Sequence, residues 1–227
     1  MTDLKVVAQR ALNRFSKAPG AFVLLQTPMF ALTLLDFFLS DYLEDRIAIW
    51  GLVSFVIFGA AWGLSSALTF VAVEQRRSGL PGTLVTAWPP VARKLRELIV
   101  AVMSAHLATF LGLLLLVLPG IWALVNFLFA PLIAVTSPPQ KVTDTLKQSS
   151  RIVKERGFWY YFVLTFTYLL FVFAMDWILK SGAHGLFRLS KEGFVLLAIT
   201  TFCNGVVGSW FDIVLADLFL DRAQKAN

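Results

Sequence analysis

The chain has 227 residues, of which 58% are hydrophobic and only 15% are charged. Soluble domains carry about 45–50% apolar and about 25% charged residues, so this composition excludes an ordinary water-soluble domain. The net charge of +6 is expected to face anionic lipid headgroups, and no nucleic-acid partner is predicted. The single cysteine, Cys203, excludes an intramolecular disulfide.

Six apolar segments are predicted to be transmembrane helices, because about 20 residues cross a hydrocarbon core of about 30 Å. These segments are about 20–40, 47–73, 97–118, 119–136, 158–180 and 193–219. The third and fourth are separated only by Leu118-Pro119-Gly120, a turn signal that predicts an antiparallel hairpin. We therefore expect an all-α polytopic protein that forms a single integral membrane domain over residues 1–227.

A basic amphipathic stretch precedes each predicted hairpin. Residues 4–17 and 142–154 carry apolar side chains at helical spacing with Arg and Lys between them. This pattern is typical of a helix in the membrane interface, with its apolar face toward acyl chains. In the middle stretch Pro89-Pro90 is expected to shorten or break the helix.

A threefold internal repeat is predicted from these stretches and the hairpins that follow them. The matching positions are Arg14-x-x-Lys17-x-x-Gly20, Arg93-x-x-Arg96-x-x-Ile99 and Arg151-x-x-Lys154-x-x-Gly157. The predicted repeat units are about 1–73, 81–136 and 140–220.

The distribution of positive charge predicts the orientation. Sixteen of the 20 Lys and Arg residues fall in the N-terminal segment, the second and fourth connections and the C-terminal tail. Cytoplasmic loops are enriched in Lys and Arg, so both termini are predicted to be cytoplasmic. The predicted lipid-headgroup contacts are Arg14, Lys17, Arg93, Arg96, Arg151 and Lys154.

Ionisable and amide side chains inside the spans are candidate functional residues. They are His106, Asn126, Asn204 and Asp212. A small transporter or channel requires these four to converge on one polar site. In the alternative, His106 is a neutral imidazole hydrogen-bonded to Asn204, and Asn126 holds helices together.

Asp212 is expected to form a structural ion pair with a basic residue at the foot of the third or fifth span. Asp217, nearer the end of its span, is expected to be hydrated. Asp36 and Asp176 are either interfacial residues or part of a polar cavity with Lys180.

Gly59, Gly63 and Ala67 place three small residues on one face of the second span. Small residues at this spacing let helices approach closely. The partner helix belongs either to this chain or to a second copy.

Four motifs follow one another in order: Leu118-Pro119-Gly120-Ile121-Trp122, the run 129–135, the run 146–151 and Gly157-Phe158-Trp159. In them the chain resembles the bacterial six-helix inner-membrane families related to YciC and to the membrane domain of glycerophosphodiester phosphodiesterases. It departs from those families at Thr136-Ser137, where an acidic residue is common, and at Thr145, where alanine is usual. The resemblance implies a bacterial inner-membrane location and a fold, but no activity.

No enzyme is predicted. The sequence has two histidines at different levels, no G-x-S-x-G motif, no Walker loop and no cluster spaced for a metal ion or cofactor. We therefore expect a non-enzymatic accessory or structural protein. Its partners are expected to be anionic lipid, a larger membrane complex or a second copy of the chain.

Overall fold

A computed structural model of the chain describes residues 4–42, 47–186 and 192–226, and for some residues in these ranges it describes only the backbone. Every regular element of this described part is an α-helix, as predicted. The helices are α1 Leu4–Lys17, α2 Pro19–Leu24, α3 Thr27–Tyr42, α4 Ile47–Arg77, α5 Leu84–Arg93, α6 Leu95–Leu115, α7 Val117–Asn126, α8 Ala130–Thr136, α9 Val142–Arg156, α10 Phe158–Leu186 and α11 Glu192–Ala226.

Several of these helices are long and apolar enough to cross a membrane, which indicates a membrane protein. Four segments qualify among the described residues: Val53–Arg77, Leu95–Leu115, Val117–Thr136 and Phe202–Arg222. A fifth candidate is the pair formed by α9 and the start of α10, which is bent by 101°. The first predicted span, about 20–40, is divided between α2, with 6 residues, and α3, with 16. Neither reaches the length of about 20 residues that a crossing requires.

The division of the first predicted span lies at Leu25 and Gln26, between α2 and α3. Pro28 follows as the second residue of α3, where its missing N–H removes no intrahelical hydrogen bond. Ser209 of α11 donates a hydrogen bond of 3.1 Å to the carbonyl of Phe22. The break is therefore supported by a neighbouring helix, as a helix interruption inside a membrane must be.

The turn between α6 and α7 lies earlier than Pro119-Gly120, so the predicted position was wrong. Leu116 has an extended backbone, with φ −162° and ψ 147°, and Pro119 and Gly120 lie in the first turn of α7. Proline is tolerated in a first turn because N–H groups there have no intrahelical partner. A Cβ on Gly112 would lie 2.7 Å from the Gly120 nitrogen, so Gly120 serves the close approach of the two helices.

The helix α5 continues through Pro89 and Pro90, so they do not break it, but with 10 residues it is shorter than α1 and α9. Its N-terminus is fixed by a capping box in which the side chains of Thr83 and Thr86 bond each other's backbone N–H. Pro90 cannot donate to the carbonyl four residues earlier, that of Thr86. The side chain of Gln75, at the end of α4, donates to this carbonyl at 2.9 Å and satisfies it.

The amphipathic helices α1 and α9 turn much of their apolar faces toward the protein, which corrects the expectation that these faces point to acyl chains. Val7 and Ala11 of α1 are fully buried, as is Val153 of α9, and Ile152 is nearly so. Leu12, with 59% of its surface exposed, remains available to lipid. Both helices are thus part of the core as well as of its surface.

Gly20 and Gly157, which occupy matching positions in the predicted repeat, have different roles. Gly157 has φ +100° and forms the bend of 101° between α9 and α10. Gly20 lies inside α2, and the corresponding break falls at Ala18, with φ −154° and ψ 58°. The threefold repeat stays a prediction.

The centre of the fold is the pairing of α4 with α11, which run in the same direction. Ser66 meets Asp212, the ring of Phe70 lies 5.4 Å from that of Phe219, and Arg77 meets Asp221. Phe129 joins this layer, with its ring 6.1 Å from Phe219. Polar contacts therefore lie on both sides of an aromatic layer.

Candidate functional site

The basic residues predicted to contact lipid headgroups differ in exposure. Arg14 is half-buried, whereas five are exposed: Lys17, Arg93, Arg96, Arg151 and Lys154. Two of the exposed residues line cavities that also contain a carboxylate. Arg96 shares a cavity of about 540 Å³ with Glu97, and Arg151 shares one of about 530 Å³ with Asp144.

A third cavity, of about 480 Å³, is the most basic and lies between α1 and the loop after α4. We call it the basic pocket. Its lining contains no acidic residue among the described residues and consists of Arg10, Asn13, Arg14, Lys17, Arg76, Gly79, Leu80 and Pro81. Phosphates and carboxylates are the ligands that such a set of cations prefers.

The loop that closes the basic pocket is held in place by its backbone. Gly79 and Gly82 have φ of +81° and +54°, values that favour glycine. Arg76 Nε donates to the Gly82 carbonyl at 3.1 Å, and its guanidinium stands 4.9 Å from the Phe22 ring centroid. Leu80 is 56% exposed beside these cations. The pocket thus combines positive charge with an apolar side chain at its rim.

Below the basic pocket, five charged side chains form an ion-pair cluster that joins α1, α4 and α11. Arg77 Nη2 lies 2.7 Å from Asp217 Oδ1 and 2.9 Å from Asp221 Oδ1. Arg14 Nε lies 3.2 Å from Asp217 Oδ2, and Arg10 Nη1 lies 3.0 Å from Asp221 Oδ2. The second half of α1 and the last part of α11 are therefore in contact.

The expectation that Asp217 is hydrated was wrong. Its side chain is fully buried and paired with Arg14 and Arg77, residues far from it in sequence. Arg14 consequently has two roles, since it lines the basic pocket and neutralises Asp217. Lys17, like Arg76, forms no ion pair among the described residues, so the pocket keeps two cations without a carboxylate.

Asp212 is buried, but none of the described basic residues forms the expected ion pair with it. Ser66 Oγ donates to Asp212 Oδ1 at 2.7 Å, and Gln26 Nε2 donates to Oδ2 at 3.2 Å. Both partners are neutral. Gln26 comes from the break between α2 and α3, which no periodicity in the sequence predicted; Pro28 was the only local signal.

Asn126 holds the second helix break, between α7 and α8. Its carbonyl accepts from Ser149 Oγ at 2.7 Å, and its side-chain oxygen accepts from Ser150 Oγ at 2.9 Å. Ser149 Oγ also accepts from the Phe129 backbone N–H at 3.1 Å. The residue thus docks α9 onto the interrupted helix, in agreement with the expected helix-packing role.

His106 does not bond Asn204. Its Nδ1 lies 3.0 Å from the Val102 carbonyl, and its ring lies 5.7 Å from Phe55 and 5.5 Å from Trp62. A Cβ on Gly59 would lie 3.1 Å from this imidazole. The ring is therefore packed in an aromatic setting against α4.

The small-residue face of α4 packs inside the chain. Gly63 faces Val102, whose Cγ2 would lie 2.3 Å from a Cβ at that position, and Ala67 is fully buried. These contacts account for the three small residues without a second copy of the chain.

The four intramembrane polar candidates are not held in one cluster. Asn126 bonds α9, His106 packs on α4, and Asp212 bonds Ser66 and Gln26. The side-chain oxygen of Asn204 is buried and has no hydrogen-bond partner within the part of the chain that the structure describes. The side chains of Asp36, Asp176 and Lys180 lie outside the described residues.

No family model, curated protein or solved structure matches the chain.

Proposed function

We propose that the chain is a non-enzymatic accessory protein of the bacterial inner membrane that binds anionic lipid through its basic pocket. In this proposal six spans cross the bilayer, α2 and α3 together form the first, and both termini are cytoplasmic. The observation that carries it is the lining of the pocket: four cations, an apolar rim and no described carboxylate.

The ion-pair cluster supports this assignment because it divides the basic residues into two groups. Arg77 is paired with Asp217 and Asp221. Arg14 is paired with Asp217, and the more exposed Arg10 is paired with Asp221. Lys17 and Arg76 have no carboxylate partner among the described residues. A phosphodiester near them is a suitable counter-ion, worth on the order of 1 kcal/mol per well-placed cation.

The apolar side chain at the rim of the pocket favours a lipid over a soluble anion. Leu80 lines the pocket and is 56% exposed. In a membrane this side chain reaches acyl chains while the cations reach the phosphate, as interfacial helices do. A soluble phosphate leaves the leucine in water.

The test is lipid binding by the purified full chain in mild detergent, titrated with phosphatidylglycerol and with phosphatidylcholine and followed by native mass spectrometry. Lys17→Gln is expected to weaken phosphatidylglycerol binding about fivefold, the equivalent of about 1 kcal/mol. The matched control is Lys147→Gln, which removes an equally exposed charge from α9. Equal effects of the two variants contradict the pocket assignment.

Two further arms separate the alternatives. Displacement of bound phosphatidylglycerol by inorganic phosphate indicates a soluble anion as the ligand. Charge reversal of Arg151 and Lys154 tests whether α9 also binds headgroups, and unchanged binding restricts the lipid site to α1. A protein that co-purifies in stoichiometric amount from native membranes supports the accessory role.

A further inference from the structure

Asp212 is a carboxylic acid buried between α11 and its neighbours without a cationic partner. It is 4% exposed, and Ser66 and Gln26 donate hydrogen bonds to its carboxyl oxygens. Among the described residues, the ion pairs of α11 use Asp217, Asp221 and Arg222, and none uses Asp212. A buried charge must be paired with a cation or neutralised.

No described cation of the protein is paired with this carboxyl. Arg77, at the end of α4, is eleven residues beyond Ser66, about 16 Å along the helix. Its guanidinium is already bonded to Asp217 and Asp221. The buried ring of Phe70 contacts that of Phe219 between the two levels. Among the described residues, Asp212 therefore has no counter-ion.

Oxygen atoms from several elements lie near Asp212. Ser66 Oγ of α4 lies 2.7 Å from Asp212 Oδ1. Gly208 is one turn before Asp212 and so lies on the same face of α11. A Cβ placed on Gly208 would be 3.6 Å from Tyr168 Oη and 3.8 Å from Gln26 Oε1. Oxygens from α4, α10 and the α2–α3 break therefore lie along the face of α11 that carries Asp212.

Three further features favour a ligand site over a packing defect. Ser65 and Thr69, on either side of Ser66 in the sequence, have buried hydroxyls with no hydrogen-bond partner among the described residues. Gly208 leaves space where a side chain would otherwise fill the gap. Gln26 is presented by an interrupted helix, the device that membrane transporters use to coordinate small cations near the middle of the bilayer.

We propose that Asp212, Ser66, Gln26 and Tyr168 form a binding site for a small monovalent cation, either a proton or Na⁺. Oxygen ligands suit both, since hard cations bind carboxylate, hydroxyl and amide oxygen. Of these groups, Asp212 carries the charge and Tyr168 is the other titratable residue that faces it; Ser66 and Gln26 are neutral. The site is separate from the basic pocket and does not depend on the lipid proposal.

The experiment is thermal unfolding of the purified full chain in mild detergent, in NaCl or choline chloride at constant ionic strength, at pH 5.5 and pH 8.5. For Na⁺ we expect the Tm at pH 8.5 to rise by about 3–5 °C per tenfold excess of Na⁺ over its Kd. For a proton we expect a higher Tm at pH 5.5 than at pH 8.5, with no response to Na⁺. Either result supports the site only if Asp212→Asn abolishes it.

The control is Asp144→Asn, which removes an exposed carboxylate from α9 and should leave the response intact. If Asp212→Asn does not fold, Ser66→Ala retains the carboxyl and should shift the Na⁺ titration or the pH midpoint. A wild-type Tm that depends on neither Na⁺ nor pH overturns the proposal. The proposal is also overturned if the Tm of Asp212→Asn responds to Na⁺ or pH as the wild-type Tm does. If only Ser66→Ala folds, an unchanged response of that variant overturns it.

Discussion

Replacing Arg77 by methionine should destabilise the protein strongly, because it leaves a buried carboxylate without its main counter-ion. Asp217 is fully buried, and the Arg77 side chain is only 16% exposed. Removing one member of a buried ion pair costs about 3–5 kcal/mol. Arg14 still lies 3.2 Å from Asp217, so we expect the lower end, about 3 kcal/mol. Methionine approximates the shape of the arginine stem and limits the loss of packing.

The matched control is Arg10→Met in the same cluster. Arg10 is also paired with an aspartate, at 3.0 Å from Asp221, but its side chain is 43% exposed. Exposed pairs contribute about 0–1 kcal/mol, so this variant should lose less than about 1 kcal/mol. Adding Asp217→Asn to Arg77→Met should recover about half of the loss, because the uncompensated charge disappears.

The free energy of unfolding of each variant is measured by titrating the protein in mild detergent with sodium dodecyl sulfate, with helicity followed by circular dichroism. The reasoning is refuted if Arg77→Met and Arg10→Met lose the same amount and both lose less than about 1 kcal/mol. It is also refuted if the double variant is less stable than Arg77→Met alone.

Three further substitutions test the helix contacts by the same unfolding titration. Gly63→Leu should lower the free energy of unfolding by about 1–3 kcal/mol, because the new leucine side chain meets Val102 Cγ2. Adding Val102→Ala should restore part of the loss. If it restores nothing, α4 and α6 do not meet here. Ser149→Ala should lower the free energy of unfolding by about 1–3 kcal/mol, because the second helix break loses a hydrogen-bond donor and an acceptor. Backbone amide exchange at that break should become faster. Gly157→Ala should lower the free energy of unfolding by about 1–3 kcal/mol through the φ of +100° alone, since nothing lies within 4 Å of the new methyl group. Gly20→Ala, inside a helix, should be neutral or stabilising. The reverse order of the two effects would show that the bend lies elsewhere.

Apolar runs in the sequence were sufficient to locate the long helices, because lipid-exposed helices need continuous apolar segments. They did not reveal the interruptions at Gln26 and Asn126, since one amide in an apolar run does not change its periodicity. Each break is stabilised by a residue distant in sequence, Ser209 or Ser149. Only a proline shortly after each break gave a local signal.

The charged contacts were predicted less well than the helices. Asp217 was assigned to water because it lies near the end of an apolar run, whereas its partners, Arg14 and Arg77, come from α1 and α4. Spacing within one segment cannot show such pairs. One signal was present in the sequence: Asp217 and Asp221 are four residues apart and so share one face of α11, and α1 carries Arg10 and Arg14.

The ion-pair cluster also sets an order of events during synthesis. Arg10 and Arg14 are synthesised before α4, and Asp217 and Asp221 only in the last part of α11. Until α11 is complete, Arg77 has none of the carboxylates that later neutralise it. The helix α1 can therefore form its ion pairs only after Asp217 and Asp221 have been synthesised. A nascent chain that ends before Asp217 should hold α1 loosely.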